Sequence, residues 1–403
     1  MKFRRRNIKF STIFIFIILI AISISPAFAL GEGNRNLLLI GIMCISPLII
    51  LMYPRISSND VWLVLFMTSI IIAPLLNHPE SMRWSTVLYS CMFCLTFMAY
   101  QRLLNLGSLT IETYIKIIKY LLYSYFIVLV IQQICVLTGL PIFNLANYDS
   151  FEPWKLNSLA SEPSHSARIV ALLMFCYITI KEIIMEKAYL FKDNFTEDKW
   201  IWMAFIWTMV TMGSSTAFLF LPLVLLKFVR LRNVIPLMMI LYGIYYLIDI
   251  FGLVSLERTY RVFIATLSLD EYKIIQADHS AAMRIVPSLI CAKMIGLSTM
   301  NDWFGHGIDY ATSFLYRLVP GIIPGTSGGG WLAFVLEYGV IAGLIFLFFS
   351  FVTSFNRRDY LTIAFWLLLV VLNGINSQIT WLAIILLFTN THFITMRENH
   401  QFS

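Results

Sequence analysis

This sequence has few charged residues. Of its 403 residues, 13% are Asp, Glu, Lys or Arg and 59% are hydrophobic. A soluble globular protein carries roughly 25% charged residues, so this chain lacks the polar side chains that would cover a water-soluble fold. A Walker-type phosphate-binding loop is also missing, which argues against an ATP-driven pump. The lipid bilayer is therefore the expected solvent for most of the chain.

Cysteine is scarce as well. The cysteines lie mostly within apolar runs, at Cys44, Cys91, Cys94, Cys135, Cys176 and Cys291. Cys91 and Cys94 form a C-x-x-C pair, but neither a second cysteine pair nor a histidine pair accompanies it. We therefore interpret both as small apolar residues of a buried helix rather than as a zinc or redox site, and we expect no metal or other cofactor.

Long apolar runs, by contrast, recur along the whole chain. A membrane-spanning helix needs about 20 largely apolar residues, so the runs predict an all-α polytopic membrane protein with about twelve transmembrane helices in a single domain, 1–403. The predicted spans are 10–30, 36–53, 61–76, 84–100, 114–140, 164–185, 200–213, 216–230, 234–254, 331–351, 360–373 and 378–394. Residues 1–30 also resemble a cleavable signal peptide, but we favour a retained first span because the apolar stretch is long and further spans follow at once.

The basic residues orient these spans. If the chain starts inside, the cytoplasmic connections are 54–60, 101–113, 186–199, 227–232 and 356–359. Most of the basic residues of these connections lie in the last three, namely Lys187, Lys192, Lys199, Lys227, Arg230, Arg232, Arg357 and Arg358. The shorter outside connections hold Arg35, Arg83 and Lys155. This distribution follows the positive-inside rule and predicts that both termini are cytoplasmic. It also accounts for the net charge of +7 without a nucleic-acid partner.

Two outside segments, 141–164 and 255–330, are longer than a connection needs, and loops of this length are usually functional. Within the second, which forms one large extracytoplasmic loop, apolar residues interleaved with polar ones over 279–297 predict a helix lying against the membrane surface. The later part is rich in glycine, at Gly305-His306-Gly307 and at 328–330. These glycines permit close approach of the backbone to another segment.

The most informative stretch ends the first of these segments. Pro163 suits the first turn of a helix, with Ser161 or Glu162 as its cap. Glu162, His165 and Arg168 follow one another at intervals of three, so they share one helix face at the outer end of a span. The unpaired N–H groups of a first helical turn attract anions such as phosphate and favour the neutral imidazole that can act as a base.

Each of these three residues also has a structural explanation. Glu162 could only cap the helix, Arg168 could only reach the interface, and His165 could be a polar residue between helices. Because ionisable residues near bilayer depth are costly, we interpret the three together as functional. We expect Glu162 and His165 to be catalytic and Arg168 to bind a diphosphate.

Cations of the large outer loop form a second candidate set. Arg258, Arg261 and Arg284 are not needed there for topology, and His306 lies further along the loop. Because a guanidinium group can bind two phosphate oxygens at once, these residues could hold a diphosphate at the membrane surface together with Arg168. Aromatic residues of the loop could stack on sugar rings, but an interfacial aromatic belt explains them equally well.

Four motifs together resemble the Wzy-type polymerases of O-antigen and capsule repeat units. They are Ser161-Glu162-Pro163-Ser164-x-x-Ala167 opening a span, the turn Gly213-Ser214-Ser215-Thr216, an outer loop that holds Arg284 and ends in Gly305-x-Gly307, and Glu337-Tyr338-Gly339-Val340-Ile341-Ala342-Gly343-Leu344 entering a span. The likeness covers nearly the whole chain as an architecture, but only these short motifs as residues. The Ser-Glu-Pro-Ser stretch is the most specific of them.

The resemblance implies a GT-C-like glycosyltransferase of the bacterial inner membrane that works on its extracytoplasmic side. It would transfer a growing glycan from an undecaprenyl-diphosphate-linked donor to the terminal sugar of another lipid-linked repeat, without a nucleotide sugar or a metal. The arginines would neutralise the leaving diphosphate. Glu162 or His165 would deprotonate the acceptor hydroxyl, with Asp278, Asp302 and Asp309 as alternative bases. The membrane lipid, a flippase and a chain-length regulator are the further partners that it implies.

Other functions stay open. A lipid-linked glycan ligase shares the architecture and the donor, and differs in its acceptor. A lipid-linked oligosaccharide flippase would more often show polar residues at mid-span and symmetry between halves, whereas the ionisable residues here gather at the outer ends of spans. A purely structural scaffold would not need outward-facing arginines.

Overall fold

The chain is helical in every part that the structure describes. The computed structural model describes residues 2–24, 36–106, 109–144, 151–228, 254–322, 329–356 and 359–401, and of these it describes the backbone alone at 2–9, 191–195, 254–259, 279–281, 284 and 399–401. The helices are α1 (Lys2–Ser23), α2 (Leu37–Met52), α3 (Ser58–Asn77), α4 (Trp84–Asn105), α5 (Ile111–Thr138), α6 (Pro163–Met185), α7 (Phe191–Thr211), α8 (Ser215–Leu225), α9 (Val254–Leu267), α10 (Glu271–Ala277), α11 (His279–Met294), α12 (Met300–Phe304), α13 (Tyr310–Leu318), α14 (Gly330–Ser354), α15 (Leu361–Trp366) and α16 (Gln378–Gln401). Short 3-10 turns at Pro79–Ser81 and Leu226–Phe228 and a π-helical turn at Leu367–Val371 complete them.

Five helices are long and apolar enough to cross a membrane, namely α3, α4, α5, α14 and the Gln378–Glu398 part of α16. A helix also overlaps each of the other predicted spans, although of 234–254 only residue 254 is described. The all-α prediction is therefore confirmed for the described residues. The count of twelve spans and the GT-C-like arrangement stay predictions.

Contacts within the chain group it into two compact units. Unit 1 comprises 1–39, 107–260 and 392–403, and unit 2 comprises 40–106 and 261–391. Of the helices long and apolar enough to cross a membrane, α5 lies in unit 1, and α3, α4 and α14 lie in unit 2. The expected single membrane domain stays a prediction.

Helix α6 is the centre of unit 1. It packs against α5, α7 and α8, and its residues 169–180 are all buried. Beyond this apolar stretch, Lys227 pairs with Glu182 at 2.9 Å, Lys181 pairs with Asp198 at 3.4 Å, and Arg397 pairs with Glu186. Glu186 and Asp198 of one segment expected on the cytoplasmic side, and Lys227 of another, thus lie around the last turns of α6.

Unit 2 has an aromatic core around Trp381. Its indole stacks on Phe93 with ring centroids 5.6 Å apart and meets Phe346 edge-on at 6.0 Å. At one end of α3, the buried carboxylate of Asp60 pairs with the buried guanidinium of Arg102 at 3.0 Å. Removing one partner of such a buried pair would leave an uncompensated charge, so this contact fixes α3 against α4.

Residues 261–322 of the predicted outer loop form an apolar core together with α14 in unit 2. Val286 and Ile290 of α11 are 1% and 8% exposed, and they cluster with Leu315 of α13 and Leu336 of α14. The predicted helix over 279–297 is therefore present as α11. Its apolar face packs against α13 and α14, and its location at the membrane surface stays a prediction.

Candidate functional site

The helix predicted to open at Pro163 does open there. Glu162 is the residue before the first turn of α6, with the extended backbone (φ −144°, ψ 152°) of an N-cap, and Pro163 occupies the position that has no need of an N–H. The Glu162 side chain does not cap the helix. Its carboxylate instead accepts a hydrogen bond of 3.0 Å from the Ser164 hydroxyl.

His165 and Arg168 follow on successive turns of the same helix. The Nδ1 atom of His165 lies 3.0 Å from the Ser161 hydroxyl, which ties the imidazole to the residue one turn earlier. Glu162, His165 and Arg168 are each partly buried, while residues 166 and 167 between them are buried. The predicted acid, imidazole and guanidinium therefore lie together within two turns. We call Ser161, Glu162, Ser164, His165 and Arg168 the Glu162 cluster.

The outer segment before α6 is held by side-chain amides. Asn144 donates to the carbonyl oxygens of Ser158 and Ala160 at 2.6 and 2.9 Å. The buried Gln132 of α5 accepts the Ser158 N–H at 2.8 Å, and Asn157 donates to the Ser161 carbonyl at 3.2 Å. These contacts fix the start of α6, and sequence reasoning missed them. The signal that could have found one is a polar Gln132-Gln133 pair inside an apolar span.

The turn after α7 packs against this same segment. Gly213 has a φ of +70°, and a Cβ atom there would lie 2.9 Å from the Trp154 carbonyl oxygen and 3.2 Å from the Lys155 Cα. The Leu156 N–H also donates to the Met212 carbonyl at 3.3 Å. The Gly-Ser-Ser-Thr turn therefore supports the segment that leads to the Glu162 cluster, which agrees with a packing role.

The predicted arginines of the large loop lie on its helices. Arg258 and Arg261 are in α9 and Arg284 is in α11, but the side chains of Arg258 and Arg284 lie outside the described residues. Arg261 is exposed. Arg168 and Arg258 belong to unit 1 and Arg261 and Arg284 to unit 2, so their joint diphosphate site stays a prediction.

His306 is held against the break in a long helix of unit 2. Its backbone N–H donates to the Leu336 carbonyl at 3.0 Å, and its Nδ1 lies 3.2 Å from the same oxygen. Its ring stacks on Tyr310 with centroids 4.8 Å apart. Because a carbonyl oxygen only accepts, Nδ1 carries the proton in the neutral ring, and Nε2 is then an acceptor. In this neutral form, Nε2 of His306 carries no proton that it could donate to a phosphate.

Glu337 is a functional candidate that the sequence pattern alone does not indicate. Helix α14 breaks two residues later, at Gly339, where the backbone adopts φ +91° and ψ 162°. A Cβ atom on Gly339 would lie 2.2 Å from the Trp303 carbonyl oxygen, and one on Gly305 would lie 2.1 Å from the Glu337 carbonyl oxygen. The two segments approach this closely only because both positions are glycine. A lone glutamate inside an apolar helix is the signal that could have found it.

The connection between α3 and α4 completes this second site. The Ser81 hydroxyl accepts the Ile308 N–H at 3.2 Å, and Arg83 pairs with Asp309. Asn77 donates to the Gly305 carbonyl at 2.6 Å. We call the set His78, Ser81, Arg83, Gly305, His306, Gly307, Asp309, Glu337 and Gly339 the Glu337 cluster. All of it belongs to unit 2, and its segments at 77–83 and 301–309 are both ones that the sequence predicts outside.

The alternative bases of the loop differ in their engagement. Asp302 accepts hydrogen bonds from the Thr299 N–H at 2.8 Å and its hydroxyl at 2.9 Å, and these bonds hold the pKa of Asp302 below its ordinary value. Asp302 therefore closes a capping box at the start of α12. Asp309 is paired with Arg83. Glu162 and His165 each bond to a hydroxyl group of their own stretch, that of Ser164 and that of Ser161.

No protein-family model, no curated protein and no solved structure matches this chain.

Proposed function

We propose that the protein is a membrane glycosyltransferase that polymerises undecaprenyl-diphosphate-linked oligosaccharide repeat units into a surface polysaccharide, O-antigen or capsule. The observation that carries the proposal is the Glu162 cluster. It places a carboxylate, an imidazole and a guanidinium in the first two turns of a helix that is otherwise buried and apolar. Transfer between two lipid-linked glycans needs a base and an anion-binding group at the membrane surface.

The chemistry assigns one task to each side chain. A hydroxyl of the acceptor sugar attacks the anomeric carbon of the donor, and the bond from that carbon to the diphosphate oxygen breaks. The proton of the hydroxyl passes to the carboxylate of Glu162 or to the imidazole of His165. Arg168 stabilises the charge on the leaving undecaprenyl diphosphate, aided by the N–H groups of the first turn of α6. No nucleotide sugar and no metal takes part.

The layout of unit 1 supports an outward-facing site. The Glu162 cluster lies at the first turns of α6, and the basic contacts of Lys181, Lys227 and Arg397 lie around its last turns. At 1.5 Å per residue a helix of this length extends roughly 34 Å, close to the thickness of a bilayer core. With the basic end in the cytoplasm, as the positive-inside rule requires, the Glu162 cluster faces outside. The protein would then be a multi-pass protein of the bacterial inner membrane with cytoplasmic termini.

The same geometry also serves a lipid-linked glycan ligase, since the two enzymes share a donor and differ in the acceptor. Deletion of the gene and complementation, read on a gel of surface polysaccharide, separates the functions. A polymerase predicts single repeats without ladders in the deletion strain and restored ladders with the wild-type gene. Accumulation of long lipid-linked chains would instead indicate the ligase, and failure to expose repeats on the outer leaflet would indicate a flippase.

A further inference from the structure

In unit 2, the carboxyl group of Glu337 is buried, and only one of its two oxygens has a hydrogen-bond partner. Helix α13 begins after Asp309, whose own side chain makes no capping hydrogen bond. The carboxyl group of Glu337 lies against the N–H groups of Asp309 and Ala311 and so caps α13 from another helix. Its Oε1 atom is nevertheless buried without a hydrogen-bond partner. A buried acceptor left in this state is costly, so a donor group is expected there.

A second buried acceptor belongs to His78, which lies beside Gly307. The His78 Nδ1 atom lies 3.0 Å from a carboxylate oxygen of Glu80. Because a carboxylate only accepts, Nδ1 carries the proton, and Nε2 of the neutral ring is an acceptor. This Nε2 is buried without a partner. A Cβ atom on Gly307 would lie 3.3 Å from the His78 Cβ, while the Gly307 N–H donates to the Glu337 carbonyl at 3.3 Å.

A ligand that bonds to both atoms must supply hydrogen-bond donors. Sugar hydroxyls do so, and the stacked rings of His306 and Tyr310 beside them offer the flat face on which sugar rings pack. Arg83 already pairs with Asp309. The carboxylate of Asp309 therefore needs no added cation.

We propose that the Glu337 cluster is a saccharide-binding site, in which Glu337 Oε1 and His78 Nε2 accept hydroxyl groups of the acceptor glycan. This inference rests on the proposed function for its choice of glycan. It assigns acceptor binding to the Glu337 cluster of unit 2. It also gives the Gly305-x-Gly307 and Glu337-x-Gly339 motifs one shared purpose, since each glycine lets the loop close on Glu337.

The substitution Glu337→Gln separates binding from capping. A carboxylate has two acceptor oxygens, and an amide has one. In the variant the single amide oxygen faces the N–H groups of α13, so the cap remains, and the NH₂ group replaces the acceptor that faces the ligand. A residue that served only as a cap would tolerate this change. Glu271→Gln is the matched control, because Glu271 is a carboxylate of the same loop whose partner is Lys293 at 2.7 Å.

The experiment uses the full-length protein in detergent with EDTA present. The probe is the repeat-unit oligosaccharide, released by mild acid from lipid-linked repeats of a strain lacking this gene, and binding is titrated by calorimetry. Glu337→Gln should weaken binding by about 10- to 100-fold, as expected when a buried hydrogen-bond partner is lost and the opposing group is left unpaired. Glu271→Gln should bind the lipid-free oligosaccharide as the wild type does. If Glu337→Gln lowers the unfolding temperature, His78→Ala decides, since it removes the other acceptor without touching the cap, and it should also weaken binding.

Three results would overturn the saccharide site. The first is unchanged affinity in both Glu337→Gln and His78→Ala. The second is absence of oligosaccharide binding by a wild type that polymerises lipid-linked repeats. The third is displacement of the oligosaccharide by the cation spermidine at matched ionic strength, because the cluster would then be a cation site. The fate of the proposed function is read separately. If complementation restores no ladders but oligosaccharide binding still depends on Glu337, the polymerase proposal fails and the saccharide site stands.

Discussion

The Glu162 cluster and the Glu337 cluster are built in opposite ways. In the first, the chemical groups lie within eight residues at the start of one helix, and Glu162 and His165 each bond to a hydroxyl group of that same stretch. In the second, three segments from 77–83, 301–309 and 337–339 meet through backbone contacts at glycines. The first depends on a helix start and its supporting loop, whereas the second depends on close packing that a single methyl group can disturb.

The difference predicts how each cluster responds to substitution. Changes at Ser161, Glu162, His165 and Arg168 should alter catalysis and leave the fold intact, because these residues are only partly buried. Changes in the glycines of the Glu337 cluster should alter the fold first. Each of the following experiments tests one side of this contrast.

The largest effect is expected from Gly339→Ala. The new Cβ atom would lie 2.2 Å from the Trp303 carbonyl oxygen and would force a φ of +91° on a residue with a side chain. The strain and the clash together should cost at least about 3 kcal/mol of unfolding free energy. Thermal unfolding of the purified protein measures it. Gly41→Ala is the control, since nothing lies within 4 Å of its added Cβ, and equal unfolding temperatures for the two variants would refute the close-packing account.

Arg168→Ala tests the opposite behaviour. Loss of a group that stabilises charge on a leaving group typically lowers a rate by about 100-fold or more, so polymer formation should fall by that factor. The unfolding temperature should stay near that of the wild type because Arg168 is partly exposed. Arg317→Ala provides the comparison, since this exposed arginine contacts its neighbour Tyr316. If Arg168→Ala polymerises as fast as Arg317→Ala, the diphosphate role is wrong.

Ser161→Ala should have a smaller effect on the same reaction. It removes the hydroxyl that lies 3.0 Å from His165 Nδ1 and so frees the imidazole to rotate. A lost hydrogen bond of about 1 kcal/mol corresponds to a rate about fivefold lower. Ser161→Thr keeps the hydroxyl and should retain most of the rate in the same polymer-formation assay. Equal loss in both variants would point to packing rather than to the hydrogen bond.

The smallest effect concerns pH and the start of α12. Hydrogen bonds from Thr299 hold the pKa of Asp302 below its ordinary value. This stabilisation is present above the unfolded-state pKa of about 3.9 and is lost as the pH falls through the lower folded-state value. Asp302→Asn should therefore unfold at a lower temperature than the wild type at about pH 7, and the gap should narrow below about pH 4. A gap that stays constant with pH would contradict the assignment.

Apolar patterning predicted most of the helices because membrane helices are specified locally. Each long run maps onto a helix wherever the structure describes it, and Pro163 marks the start of α6 as expected. The Glu162 cluster could also be predicted, since a spacing of three places side chains on one helix face whatever the tertiary fold. Its supporting amides at Asn144 and Asn157 could not, because they act across loops.

The Glu337 cluster lay beyond reach for a physical reason. Glycine-rich motifs indicate that a backbone will approach something closely, but they do not name the partner. Only the fold shows that Gly305 meets Glu337 and that Gly339 meets Trp303. The same limit applies to the packing of α11. Its apolar periodicity is real, and the sequence does not show that α13 and α14 cover it.

The central claim is best tested by reconstituting the purified protein into lipid vesicles and adding only lipid-linked single repeats from a strain that lacks this gene. The account predicts a ladder of lengthened glycans and release of one undecaprenyl diphosphate for each new linkage. It further predicts that a Glu162→Gln, His165→Ala double variant yields neither product. Recovery of the repeats as intact single units with the wild-type protein, or wild-type ladders with the double variant, would contradict it.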